Sequence, residues 1–532
     1  MTRPDHRRLP GALLLGLAAL ISALVLAACG GSSENGETAA ADKPAAGATT
    51  AEETAAIRRG GTLVISAVDP GTAIDPLTTA SPAGTAIADA VAEKLTRITT
   101  EGTAEPILAE SWEPAADGLS WTFRLRPGVA FQDGRPLTSA DVVASYERLL
   151  ARDSPAPGKS AFADLVRGVR ADGPETVVFE LTRPFSDFPV LTAGSNAHIL
   201  PVDYRAGTWQ RRPVGSGPFR LDLYSPGQSA RFSANPNWWN RENLHLGALD
   251  LKLYKDQQAR VLALQSGEID SLIGEPVDAS LTAALDRSQF QIESLPTAGF
   301  TAFALRVDRA PFDDVRVRQA IAWGLDREAI VRTVFGGEGQ PGNDTIYGPT
   351  YAIKPQGLEQ RRQDVAKAEE LLGGKEVSFE ITGSAQSETL ATVIQQQLNE
   401  IRGFDVKIKS LPAAEYYADG DDSPWLTAPA TLTFWGDRPS PSQYNNFLYA
   451  RASDWNASQY SNPELERLSA QYDASTDEAE RQRAVDAIAQ IEWEEAPVIV
   501  PAFGTSQSFT AKKVHGLRPQ PAAILYSGVW VD

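Results

Sequence analysis

The chain has 532 residues, with 68 Asp+Glu against 49 Lys+Arg and a formal charge of −19. That length suits two or three domains with a large core, and 42% apolar with 22% charged residues is a globular rather than a disordered composition. The acidic balance speaks against nucleic acid or anionic lipid as the main partner, and a single Cys excludes an internal disulfide or a Cys-rich metal site.

The amino terminus reads as an export signal. Arg3, Arg7 and Arg8 precede an uncharged stretch of mostly Leu and Ala from Gly11 to Ala28, which small residues close as in a secretory signal. The closing residues Leu26, Ala27, Ala28 and Cys29 resemble the bacterial lipobox, where cleavage leaves the Cys lipidated as the new first residue. Residues 1–28 carry three Arg and one Asp, so their removal takes the charge from −19 to −21. Residues 29–59 are rich in Gly, Ser, Ala, Thr and Glu without aromatics, the composition of a flexible tether with a reach of roughly 30 Å. The expected product is a soluble body held by lipid at the outer face of a membrane.

The folded body is expected to start at Gly61. Thr62–Val68 predicts a short strand ended by Asp69-Pro70-Gly71, and residues 87–95 have helical spacing. Trp121, Phe123 and Leu125 alternate with Thr122 and Arg124, a half-buried strand. Thr138 and Asp141 stand in capping-box register for a helix with Val142, Val143, Tyr146 and Leu149 on its apolar face. Further on come a strand over 176–181, a helix over 257–266 closed by Gly267, and a long helix within 315–335 stopped by Gly336-Gly337. Residues 377–382, 388–402 and 405–411 predict a βαβ unit with parallel strands. Asn462-Pro463 opens a helix with Pro at its first position. Thr476 opens another reaching Glu495, and 497–503 is a last buried strand. Strands and helices mix throughout, so the class is α/β.

Four segments in order resemble the peptide/nickel family of extracellular solute-binding proteins (family 5), the capture subunits of ABC importers. The first joins Ala109-Glu110-Ser111-Trp112, the strand Trp121 to Arg126, the turn Phe131-Gln132-Asp133-Gly134 and the cap Thr138 to Val142. The second is Pro213 to Phe219, followed by Asn235-Pro236 and Trp238-Trp239. The third is Ala263 to Asp270, and the fourth Pro311 to Ile330. Their own physics is mostly structural: Gly134 accepts positive φ in a turn, Gly215 and Gly217 permit a tight strand entry, and Arg316, Arg318, Asp326 and Arg327 are expected to lock a helix by ion pairing.

The resemblance implies a two-lobe periplasmic-binding-protein-like α/β fold, class II, of the large peptide-binding type with an extra subdomain. Lobe I would combine 60–96, 209–296 and 506–532, with the subdomain at 97–208, and lobe II would span 297–505. A ligand between the lobes stabilises the closed state by touching both. The peptide-binding members pair the ligand's α-amine with a carboxylate after an aromatic strand, and Asp437, after Phe434, Trp435 and Gly436, sits at that position. Buried ammonium needs such a partner. Asp437 could equally do no more than cap the turn with Arg438 and Pro439. Tyr416 falls where the family often has a pocket Trp. The segment 78–82, with Thr79, Ala80 and Ser81, matches a lobe I edge that pairs with ligand backbone, and the strand around 299–305, with Phe303, matches a lobe II edge near the hinge. For these, core packing or loop support is an equal reading.

Two departures qualify the likeness. Some oligopeptide binders carry an Arg six positions before the anchoring Asp, and here that position is Thr431. Arg438 directly after the anchor is also unusual. No cofactor, metal site or catalytic residue is expected: His198, His245 and His515 are far apart, Met is lost with the signal, and no metalloprotease, nucleophile-elbow or P-loop motif occurs. The reading is a monomeric lipoprotein that hands peptides to permease subunits. Trp323, Trp425, Trp435 and Trp455 leave an oligosaccharide or other non-peptide solute open, and a secreted glycosidase using two distant carboxylates is a remote alternative.

Overall fold

The computed structural model describes residues 57–69, 74–273, 279–283, 285–418, 420, 422–521 and 523–532. The expected signal segment, Cys29 and the tether up to residue 56 lie outside the described residues, as do Pro70 and Gly71 of the first expected turn. The architecture below belongs to the unit Ile57–Asp532.

The first strand is Thr62–Val68, as its composition predicts, with Leu63, Ile65 and Ala67 buried. It pairs in parallel with Ala248–Tyr254 and Ser271–Leu272. The helix expected over 87–95 instead spans Pro82–Val91. Its start is set by Ser81, whose hydroxyl accepts the Gly84 N–H, and by Pro82 in the first turn. Its end abuts the Gly215–Gly217 entry, where a Cβ on Gly215 would lie 2.2 Å from the Val91 carbonyl oxygen. Only Gly allows that approach.

The Trp121 pattern becomes the strand Ser120–Leu125 of a four-stranded antiparallel sheet with Ala109–Pro114, Thr176–Leu181 and Val166–Ala171. Trp121, Phe123 and Leu125 point into a separate core, where Phe123 and Tyr146 meet Phe179 at ring separations of 5.4 and 4.7 Å. The helix Ser139–Leu150 closes this core, and the Thr138 N–H donates to Asp141 Oδ2 at 2.9 Å as the capping box requires. Each aromatic buried here contributes roughly 1.5–3 kcal/mol.

Two strands carry the chain between the lobes. Phe290–Leu305 and Ala502–Ala511 run antiparallel, with a register shift between Pro296 and Phe300. They join the lobe I strands to those of lobe II in one twelve-stranded sheet. The expected last strand 497–503 is therefore two pieces, Val498–Ile499 and the start of this second crossing. In lobe II, Val377–Ser384 and Phe404–Leu411 pair in parallel across the helix Glu388–Asn399. Leu390, Ile394 and Leu398 of that helix are buried at helical spacing.

The long helix expected within 315–335 is two helices, Val315–Gly324 and Arg327–Val334. Leu325 is extended, and Asp326 caps the second helix by accepting the Ala329 N–H. Arg316 pairs at 2.9 Å with Asp314, the cap of its own helix, whereas Arg318 and Arg327 tie elements together. Arg318 donates to the Glu495 and Phe312 carbonyls at 2.7 and 2.8 Å, while Arg327 and Arg361 converge on buried Asp344. The last helix opens at Asp477, not Thr476. The chain is a two-lobe α/β protein with a further subdomain.

Candidate ligand-binding cleft

The lobe II strand Ala430–Trp435 lies beside the first crossing strand, with Phe300 opposite Trp435. It delivers the turn Gly436-Asp437-Arg438 to the lobe boundary. Two tyrosines pin that turn from behind. Tyr444 donates to the Gly436 carbonyl at 2.7 Å and the Ala298 carbonyl at 3.2 Å, and Tyr351 donates to the Arg438 carbonyl at 3.0 Å. Tyr444 is fixed by the helix Pro441–Leu448, which Ser440 caps. Gly299 faces the turn closely: a Cβ there would lie 3.1 Å from the Trp435 carbonyl oxygen.

Asp437 keeps its side chain open to solvent in the cleft. The surrounding walls nevertheless displace water and raise its carboxyl above the ordinary aspartate value. The Gly299 and Ala298 N–H groups and Arg438 oppose that rise. No ion pair within 4.0 Å engages Asp437 among the described residues. A cavity of about 400 Å³ extends from Asp437 to Thr79 and Ala80 of lobe I, bounded also by Asn196, Gln443 and Phe447. That volume is within the ~300–1,000 Å³ usual for small-molecule sites. Three of its lining residues carry a buried polar atom without a protein partner: Thr79 at Oγ1, Arg438 at Nε and Gln443 at Oε1.

The other expected site residues land elsewhere. Ser81 is a helix cap, so the segment Thr79–Ser81 is a turn leading into a helix, not a strand edge. Asp75 accepts from Thr79 N at 2.9 Å, and Asn196 donates to the Thr79 carbonyl at 3.0 Å. Phe303 is buried in the lobe II core, on a strand paired on both sides, so it offers no edge. Tyr416 is also buried: its hydroxyl bonds to the Leu432 carbonyl at 3.0 Å and Thr433 Oγ1 at 2.8 Å, which makes it a support for the site strand. Thr431 is buried in the same sheet. Phe434 and Trp435 line a second cavity beside the cleft. Tyr351 and the subdomain residue Asn196 escaped sequence reasoning, because only the fold brings them to the cleft.

A further cavity of about 340 Å³ lies outside lobe II, near Glu93, Trp238 and Trp239. Its carboxylates are already engaged. Glu93 accepts both Trp238 and Trp239 N–H groups at 2.9 and 3.0 Å, and Asp89 meets His198 at 2.6 Å and Lys94 at 3.2 Å. Burial pushes Glu93 up to about 7. Of these two cavities, the interlobe one carries a carboxylate without an ion pair among the described residues.

Comparison with known proteins gives the family and the fold. The family described as bacterial extracellular solute-binding proteins, family 5 middle, matches residues 103–457. The dipeptide-binding protein of Escherichia coli K12 is 27% identical over 460 residues, covering 79% of this chain and 85% of that protein. Two solved structures share the fold. HbpA2 from Haemophilus parasuis has a TM-score of 0.78 at 23% identity, covering 89% of this chain and all of that one. The oligopeptide-binding protein AppA from Bacillus subtilis, in complex with a nonapeptide, has a TM-score of 0.68 at 23% identity, covering 89% and 99%. The chain belongs to the family 5 bacterial extracellular solute-binding proteins.

Proposed function

We propose that this chain is the substrate-binding protein of an ABC importer and captures short peptides, pairing their free α-amine with Asp437. The observation that carries the reading is an unpaired, solvent-facing carboxylate on the lobe II wall of a cavity whose opposite wall includes Thr79 and Ala80 of lobe I. A ligand there touches both lobes and so favours closure. A dipeptide-binding relative supports the substrate class. We assign lobe I to 60–96, 209–296 and 506–532, the subdomain to 97–208 and lobe II to 297–505, a division the separate hydrophobic cores support. Cys29 is proposed as the lipid anchor, holding the protein outside the membrane near its permease. The protein binds and releases its ligand without chemical change.

The test is calorimetric titration with Ala-Ala and N-acetyl-Ala-Ala against the wild type and Asp437→Asn. The free-amine peptide should bind, and both acetylation and the substitution should weaken it at least tenfold, the scale for a partly desolvated charge pair. Equal affinity of the acetylated and free peptides would remove Asp437 as the anchor.

A further inference from the structure

Among the described residues lining the interlobe cavity, Asp437 and Arg438 are the only charged ones. Arg438 has no ion pair within 4.0 Å among the described residues, and its Nε is buried without a partner. Its guanidinium lies 5.5 Å from the Phe447 ring centre. Several buried or half-buried guanidiniums among the described residues are matched with carboxylates: Arg327 and Arg361 with Asp344, Arg318 with Glu495, Arg481 with Asp187. An unmatched guanidinium in a cavity is a ready partner for a carboxylate, which it binds through two parallel N–H donors.

Arg438 and Trp455 also line the second cavity, a chamber of about 450 Å³ within lobe II. Its walls are Tyr417, Trp425, Phe434, Trp435 and Trp455. Trp455 stands 6.3 Å from Trp425 and 5.9 Å from Trp435, ring centre to ring centre. Phe434, Trp455 and Tyr417 are 62, 44 and 38% exposed, so the exposed large aromatics among the described residues gather on this one chamber. A concentrated apolar surface of that kind marks a binding site. Asp454 lines the chamber but not the cleft, so a carboxylate is favoured at Arg438, on the cleft side.

Resting on the Asp437 reading, we infer that the site selects a zwitterionic peptide whose terminal carboxylate sits on Arg438 and whose carboxy-terminal aromatic side chain enters the Trp425–Trp435–Trp455 chamber. The two charges are received by adjacent residues. With Cα atoms ~3.8 Å apart, their side chains accept ligand charges separated by at most about 10 Å, the span of two or three residues. Arg438 thereby does what buried Thr431 cannot. Planar rings gain from edge-on and offset contacts with the indoles beyond their area.

Calorimetry on the protein with Ala-Phe, Ala-Ala and Ala-Phe amide tests this. Ala-Phe should bind at least tenfold tighter than either other probe. Arg438→Gln should bring Ala-Phe and its amide within twofold of each other. Trp455→Ala, an exposed position, should erase the preference for Phe over Ala. Equal wild-type affinity for acid and amide, or for Phe and Ala, overturns the inference, as does discrimination that survives the matching substitution. If either variant fails to fold, the wild-type comparisons decide alone. Binding of all three probes with equal strength overturns this inference and leaves the amine anchor standing; binding of none removes both.

Discussion

Arg183 and Asp473, 290 positions apart in the chain, meet at 2.6 Å between the subdomain and lobe II. Beside them Asp187 accepts Ser440 Oγ at 2.7 Å and the Tyr472 hydroxyl at 3.0 Å, and it pairs with Arg481. The Ser186 N–H donates to the Asp473 carbonyl at 2.7 Å. This cluster fastens the subdomain to lobe II beside the cleft, lining cavities that share Tyr351, Pro439, Gln443 and Phe447 with it. Opening the lobes would separate its partners, and removing one member of a buried pair costs roughly 3–5 kcal/mol. Asp187→Asn should therefore enlarge the ligand-free protein in small-angle scattering and weaken peptide binding several-fold, since the binding-competent closed form becomes scarcer. An unchanged radius of gyration would count against the latch.

Asp473 also gives the latch a pH dependence. It is 4% exposed. Burial, opposed by Arg183 and reinforced by Asp187, raises it from 3.8 to about 6. A carboxyl raised in the native state contributes stability that is complete below its unfolded value and lost as pH rises through its folded one. Stability should thus rise as pH falls from about 7 to 4, by an amount on the order of 2 kcal/mol from this group. Urea unfolding across that range, compared with Asp473→Asn, isolates it: the wild-type minus variant difference should fall toward zero only if the carboxyl is the source.

Asp344 holds two guanidiniums, those of Arg327 and Arg361, and all three are buried. Arg361 also lies 4.1 Å over the Trp493 ring and 5.1 Å over Trp323. Asp344→Ala would leave two buried cations unpaired. The expected loss of unfolding free energy is about 3–5 kcal/mol, read from the denaturant midpoint. A loss under about 1 kcal/mol would show that Trp stacking and carbonyl acceptors alone suffice.

The fold was legible where local signals agree. The alternation at Trp121, Phe123 and Leu125, the Thr138–Asp141 box and the Asn462-Pro463 start each state one structure through period or cap. The break at Leu325 was not legible, because the apolar pattern runs on from Val315 to Val334. Two local signals mark it in the structure, Gly324 and the capping Asp326, and a Cβ on Gly324 would also lie 2.6 Å from Ile401 Cδ1. Nothing local says that residues 502–511 leave lobe II and cross back.

In the site, sequence order located the turn at Asp437 but not which neighbours face the ligand. Phe434 and Trp435 are consecutive in a strand, so one is exposed and the other buried, and residue type does not choose between them. Tyr416 and Phe303 are apolar enough for either a pocket or a core, and the core took both. Arg438 stood out as an oddity in sequence; only the cavity shows it unpaired beside a cluster of indoles.

On the proposed reading of Asp437 as the amine anchor, its raised carboxyl makes amine capture sensitive to acid. Pairing with an ammonium needs the ionised form. Because the walls of the cleft raise this carboxyl above the ordinary aspartate value, affinity for a free-amine peptide should begin to fall at a higher pH than a solvated Asp would allow. The ammonium itself lowers the carboxyl on binding, so complex formation releases a proton near the midpoint. Ala-Ala titrations in buffers of different ionisation enthalpy should detect that proton, and Asp437→Asn should abolish both it and the acid loss of affinity. Asp473 works in the opposite direction, favouring the latched form in acid, so Asp473→Asn should steepen the acid loss. A wild-type affinity that is flat down to the ordinary aspartate range would mean that the carboxyl is not the group the ammonium meets.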